Sequence, residues 1–308
     1  MYEIAFRCDA SKFHKIGTGH LYRSLAIAEG LTKKYNLKKN KLIFICKRNK
    51  LDRKIKKIIK NKKFNVIFFK EKNEINFLKK LKVKNIIFDR ILKENRKHIE
   101  IIKKKFDKVI YLESLNNNIN ECLRINSIIH KKNIRYSGFK FLITPLLNEK
   151  RNKLIENEKK IFINLGGINK ILAYYIYERL SKISKFKDFK FCLNKDLGIL
   201  RGNVEPYDNK NFYQKLKQSK IVICSGGLIF FDSLFLRKKI LIFAKDKFQR
   251  DNVYKVNRLL KTKIQIINMK NLKFNFLKLY KNTQKIKKNL NLKDMDQTLK
   301  IIYNYIYD

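Results

Sequence analysis

Tryptophan is absent from the sequence, proline occurs twice and glycine ten times in 308 residues. Lysine runs evenly through every segment beside many Asn, Ile, Phe and Tyr, the pattern that AT-rich codons produce. Acidic residues are scarce as well: 26 Asp and Glu stand against 74 Lys and Arg, a formal charge of +48. Taken alone, that charge suggests nucleic acid or an anionic membrane as partner. An even spread of lysine reads instead as solvated helix faces with no selected patch. A true preference for polyanions would show as a steep loss of binding with salt.

Cysteine is thinly used too. Cys8, Cys46, Cys122, Cys192 and Cys224 form no CxxC pair and leave one over, which argues against a disulfide framework and against a zinc site. Most lie in apolar, strand-like runs, as buried thiols do. The histidines, His14, His20, His98 and His130, lack metal-ligand spacing and no HExxH occurs, so no metal is expected. Long hydrophobic runs are missing. The longest apolar window, 221–236, is interrupted by Ser225, Gly226, Gly227 and Asp232 and is too short to span a bilayer. Glu3, Arg7 and Asp9 break the N-terminus before a signal peptide could form. The expected protein is soluble and cytoplasmic, with no stable membrane insertion.

What is present is an alternation of short β-rich runs with longer amphipathic ones, the signature of an α/β fold whose parallel sheets are covered by helices. The length allows two domains of ordinary size. In the first half, strands are expected at 4–8, 42–46, 66–69, 85–89 and 109–112. Three of them run into a carboxylate, Asp9, Asp89 and Glu113, at the edge where open α/β sheets bind ligands. Thr144-Pro145 marks a linker, dividing the chain into 1–146 and 147–308. The second half has expected strands at 161–164, 189–193, 221–224, 240–244 and 264–267, helices at 211–218 and 248–260, and a loop containing Pro206. The tail, 290–307, reads as a helix that packs back on the first domain.

The chain is organised around residues 6–29. This stretch begins as an apolar strand, passes through a polar loop ending Gly17-Thr18-Gly19-His20, and enters a helix with apolar face Leu21, Leu25, Ala28 and Leu31. A histidine in the first turn meets the positive end of the helix, which favours anions and helps keep an imidazole neutral. It can then serve as a general base, or it can simply cap or pack. Six of the ten glycines form the pairs Gly17/Gly19, Gly166/Gly167 and Gly226/Gly227, each between an expected strand and an expected helix. Such turns let backbone N–H groups approach a phosphate; each is also a reasonable tight turn. GxGxxG is not met, because Tyr22 stands where its third glycine would be, and no GxxxxGK[ST] occurs.

Arg7-Cys8-Asp9-Ala10-Ser11, then Ile16-Gly17-Thr18-Gly19-His20 and Arg23, closely resembles the opening of the nucleotide-sugar hydrolases of pseudaminic acid biosynthesis. Ile86-Ile87-Phe88-Asp89 resembles that family's strand ending in aspartate, and residues 136–144 are similar to its segment before the linker. Ile163-Asn164-Leu165-Gly166-Gly167 resembles its second glycine turn. Ser225-Gly226-Gly227-Leu228 through Asp232, with Gln249 and Asn252, resembles a signature shared with UDP-sugar transferases of the GT-B fold. The resemblance implies two Rossmann-like domains facing across a cleft, with the nucleotide held mainly by the second. It implies His20 as the base, Asp9 as a group orienting His20 or a sugar hydroxyl, and a loop-capping role for Asp9 as the other reading. The substrate would meet Gly17, Gly19, Arg23, Asp89, Gly166, Gly167 and Leu228. Gly226 and Gly227 would offer N–H groups to the diphosphate, Asp232 would reach the ribose, and Gln249 and Asn252 would lie near phosphates or sugar. Two departures stand out: Arg90-Ile91 replace the family's aromatic residue after Asp89, and Glu113-Ser114 replace its paired acids.

The implied activity is release of UDP from a UDP-linked diacetamido-trideoxy-hexose, by a monomer that uses no cofactor. Transfer of the sugar to a glycan or lipid acceptor is the alternative. A polyanion-binding protein is the third reading, although the sequence has no recognisable nucleic-acid motif and none is expected to bind.

Overall fold

A computed structural model describes residues 1–8, 18–48, 52–70, 74–90, 95–114, 122–128, 133–149, 156–166, 170–199, 201–244, 246–281 and 292–308. The chain divides into two compact units, Met1–Asn148 with Asn291–Asp308, and Glu149–Leu290.

The first unit is a seven-stranded sheet. Its strands are β1 (Tyr2–Cys8), β2 (Leu42–Lys47), β3 (Asn65–Phe69), β4 (Val83–Asp89), β5 (Lys108–Leu112), β6 (Leu123–Asn126) and β7 (Tyr136–Ser137). Their order is β3-β2-β1-β4-β5-β6-β7 and every pairing is parallel. Successive side chains of β1 enter opposite cores. Ile4, Phe6 and Cys8 pack with α1 (Gly19–Tyr35), α2 (Asp52–Asn61) and α10 (Leu292–Tyr307), while Ala5 packs with α3 (Glu74–Lys80) and α4 (Arg96–Lys105). Burial on both faces explains why these strands are apolar throughout rather than alternating. The chain leaves β1 towards β2 on one side and returns to β4 on the other. The carboxyl ends of β1 and β4 therefore frame a topological switch point, where such sheets take their ligands.

Helix α10 belongs to this first core. Leu299, Ile302 and Ile306 join the cluster of Leu21, Leu25 and Leu31, and Tyr303 stacks on Tyr35 with ring centroids 3.9 Å apart. Gly30 allows the contact: a Cβ there would lie 2.7 Å from Leu299 Cδ2.

The second unit holds β8 (Asn157–Asn164), β9 (Lys190–Asn194), β10 (Val204–Tyr207), β11 (Ser219–Cys224), β12 (Lys239–Ile242) and β13 (Gln265–Ile266). The order is β10-β9-β8-β11-β12-β13, again all parallel, with its switch point between β8 and β11. Helices α5 (Lys170–Ser181) and α9 (Leu272–Lys281) close one core through Ile176, Tyr177, Leu180 and Phe276. The remaining helices are α6 (Phe212–Gln218), α7 (Leu228–Phe235) and α8 (Lys247–Leu260).

Three strands differ from expectation. The segment around Pro206 is not a loop but β10, and β6 and β7 extend the first sheet where none was foreseen. Among the described residues β10 pairs with β9 alone, so its proline sits on an edge where a missing N–H costs no ladder bond. All five cysteines are free and buried. Among the described residues no helix is long and apolar enough to cross a membrane, and no cluster of His, Cys, Asp and Glu could hold a metal.

On the face opposite α1, two arginines share one carboxylate. Arg7 Nε lies 2.8 Å from Glu74 Oε1 and Arg90 Nη1 2.7 Å from the same atom, tying α3 to the ends of β1 and β4. Burial pushes the Glu74 carboxyl up, but the charges and hydrogen bonds of Arg7 and Arg90 outweigh it and hold the group below its ordinary 4.5. Stability from a depressed carboxylate is present above its unfolded value and is lost as pH falls through the folded one. Glu74→Gln should therefore lower stability in urea by about 2–4 kcal/mol at neutral pH, and flatten the acid-side loss that wild type shows below about pH 4.5.

Candidate active site

In the first unit the site is built where α1 starts beside the end of β4. His20 is the second residue of α1, and Arg23 and Ser24 follow at three and four positions, on the same helical face. All three meet Asp89, the last residue of β4. His20 Nδ1 lies 2.7 Å from Asp89 Oδ1; Arg23 Nε donates to Oδ2 at 2.9 Å and Nη2 donates to Oδ1; Ser24 Oγ donates to Oδ2 at 3.2 Å. Asp89 is fully buried, Arg23 is 4% exposed, and the His20 side chain keeps 16% of its surface open.

Burial alone would raise the Asp89 carboxyl. The charge and hydrogen bonds of Arg23, with those of His20, reverse this and bring it to about 2. Asp89 is thus an anion across the working pH range, and its oxygens can only accept. At 2.7 Å from such an acceptor, Nδ1 of His20 must carry the ring proton. In the neutral imidazole Nε2 then keeps its lone pair, which is the arrangement a general base needs. Arg23 Nη2 stands 3.3 Å from the same Nδ1 and cannot donate to it in this tautomer. Burial would lower the Arg23 guanidinium, yet Asp89 and Glu113 together push it above its ordinary value, so it stays charged.

Glu113 completes the cluster. It follows β5, is fully buried, and accepts from Arg23 Nη1 at 3.0 Å. Ser127 N and Ile128 N donate to it at 3.0 Å, and Ser127 Oγ donates as well. Its place at a strand end was visible in the sequence; the part played by Ser24 and Ser127 was not, since nothing marks a single serine in advance.

Several expectations change here. Arg23 and Asp89 were expected to meet substrate, but both side chains are buried and spent on each other and on His20. In this arrangement both side chains hold the histidine. Arg90, which stands in place of the family's aromatic residue, is buried and bonded to Glu74, with its guanidinium 5.2 Å from the Phe88 ring centroid. Asp9 and Gly17 lie outside the described residues, while Gly19 opens α1.

In the second unit the glycine turns follow the two strands at its switch point. Asn164 ends β8, and its Oδ1 accepts from Gly166 N at 2.8 Å across a turn in which Gly166 has φ +79°. Gly167 lies outside the described residues. Beyond β11, Gly227 is the N-cap of α7 and Leu228 its first residue. Gly226 packs against the first turn of α8, where a Cβ would lie 2.9 Å from both Cβ and the carbonyl oxygen of Gln249. The Gly226 N–H, expected to meet the diphosphate, donates to Gln249 Oε1 at 3.2 Å within the protein. Asp246 caps α8 by accepting from Gln249 N at 2.9 Å.

Asp232 was expected to reach a ribose. It is 1% exposed and accepts from Tyr213 Oη at 2.9 Å, which turns it towards α6 rather than solvent. Asn252 is equally buried, whereas Gly227 and Leu228 remain partly open.

No protein-family model matches the chain, and no curated protein sequence matches it. Solved structures do, over nearly the whole length. The S. aureus MnaA–UDP co-structure has a TM-score of 0.59 at 10% identity, covering 99% of this chain and 96% of that one. The glycotransferase of kitacinnamycin gives 0.58 at 12% identity, covering 99% and 95%. UDP-GlcNAc 2-epimerase from Neisseria meningitidis bound to UDP-GlcNAc gives 0.54 at 12% identity, covering 99% of each chain. With its two parallel-sheet units, the chain has a GT-B-like α/β fold.

The two adjacent glycines before α7 should respond differently to a methyl group. Gly226→Ala drives a Cβ into the backbone of Gln249 and should cost about 1–3 kcal/mol in urea unfolding. Gly227→Ala, whose Cβ would meet only Ser225 Oγ at 3.9 Å, should stay within about 0.5 kcal/mol of wild type.

Proposed function

We propose that the protein is a nucleotide-sugar hydrolase that releases UDP from a UDP-linked diacetamido-trideoxy-hexose, in the formation of a nonulosonic acid of the pseudaminic type. One observation carries the reading: a histidine at a sheet switch point, tautomerically fixed by a buried aspartate at 2.7 Å, with its outer nitrogen available. Nε2 takes a proton from water as the water oxygen bonds to the anomeric carbon. The bond from that carbon to the diphosphate oxygen breaks, UDP leaves as the anion, and the imidazolium returns its proton to solvent. By the family resemblance, the start of α7 at Gly227 and Leu228 would meet the diphosphate with backbone N–H groups and a helix end. The family resemblance of residues 7–23 and the fold shared with proteins crystallised with UDP and UDP-GlcNAc support the substrate class.

Transfer to an acceptor is the second reading, favoured by the glycotransferase of kitacinnamycin among proteins of this fold. There Nε2 would take its proton from an acceptor hydroxyl instead of water. Measuring UDP release from candidate UDP-sugars with and without acceptors separates the two: a hydrolase releases UDP at full rate alone, a transferase only slowly.

His20→Asn should lower kcat by about 10² to 10⁴ and leave UDP affinity, measured by calorimetry, within about twofold of wild type. Turnover near the wild-type rate would remove His20 as the base.

A further inference from the structure

Glu113 has no part in the scheme so far, yet it occupies an unusual position. Its backbone lies in the left-handed region at φ +61°, which non-glycine residues rarely adopt and which tends to persist only where the surroundings enforce it. The surroundings here are well defined. Asn126, at the end of β6, holds the residue after Glu113 by a reciprocal pair: Ser114 N donates to Asn126 Oδ1 at 3.1 Å and Asn126 Nδ2 donates to Ser114 O at 2.9 Å. The Glu113 carboxylate then receives Ser127 N, Ser127 Oγ and Ile128 N from one side and Arg23 Nη1 from the other.

Arg23 links this anchor to the base. Its planar guanidinium gives Nε and Nη2 to the two oxygens of Asp89 and Nη1 to Glu113, so three of its nitrogens are fixed by two carboxylates. Rotation of that plane would turn the Asp89 carboxylate with it, and the Asp89 carboxylate sets the His20 ring. Charge points the same way. Asp89, Glu113 and Arg23 sum to minus one, so the buried cluster becomes neutral when His20 carries the proton it has taken. Without the charge of Glu113, the imidazolium would face only a self-compensated ion pair.

We propose that Glu113 is a positioning residue for the reaction: acting through Arg23 and Asp89, it holds His20 in the Nδ1–H tautomer and supplies the counter-charge of the imidazolium. The proposal rests on His20 being the base.

Glu113→Gln tests it by two independent readouts. In the first, ¹⁵N NMR of the His20 ring at alkaline pH should show a single tautomer with Nε2 unprotonated in wild type, and a mixture of tautomers in the variant. This needs no substrate, so it still decides the matter if no UDP-sugar is turned over and the hydrolase reading itself fails. In the second, kcat should fall about 10- to 100-fold with KM within about twofold, and the substitution should have no further effect in a His20→Asn background. Should Glu113→Gln not fold, Ser127→Ala, which removes one donor and keeps the carboxylate, should produce the same partial tautomer mixing and about a threefold loss of kcat. An unchanged tautomer in the variant that folds, or additive losses with His20→Asn, would overturn the proposal.

Discussion

A guanidinium taken out of water between two carboxylates is the interaction on which the first unit's polar cluster depends. Removing such charges from solvent is costly, and the cost is offset only when nearly every donor and acceptor is matched. Arg23 meets that condition through Asp89 and Glu113, and each carboxylate has further donors of its own. Once formed, the cluster has little freedom. The helix places His20, Arg23 and Ser24 at three- and four-residue spacing, so one aspartate can collect all three. The histidine inherits its orientation from an ion pair it does not belong to.

The two sheets repeat one topology and use it differently. In each, the chain reverses its winding between the first and fourth strands, and the carboxyl ends of those strands carry the polar groups. The first sheet places ionised side chains there. The second places glycines and helix starts there.

Much of this was legible in the sequence because parallel sheets write themselves as apolar runs. The expected strands from 4–8 to 264–267 stand in the structure with small shifts of their ends, and the α/β class follows from their alternation with helices. β6, β7 and β10 were not legible. They are short, and β10 contains Pro206, whose usual meaning as a strand breaker is cancelled only by its place at an edge. Within the candidate site, His20 and Asp89 stood out by motif, but their contact joins residues 69 positions apart and is set by the β1–β4 pairing. Burial was the quantity hardest to foresee. Asp232, Asn252, Arg23 and Asp89 are chemically plausible ligand contacts, and only three-dimensional packing reveals that their side chains turn inward.

The first unit is also discontinuous: its core includes α10, separated from the rest by the whole second unit. Leu299, Ile302 and Ile306 fill a surface formed by Leu21, Leu25 and Leu31, which would otherwise be apolar and open to water. On the ribosome, that surface must wait until residues 292–307 have been synthesised, after the second unit has already emerged. Domains usually fold as they leave the exit tunnel, amino-terminal one first. Here vectorial synthesis would complete the second unit before the one that carries the histidine, and a nascent chain arrested before α10 would be a target for chaperones that recognise exposed leucine.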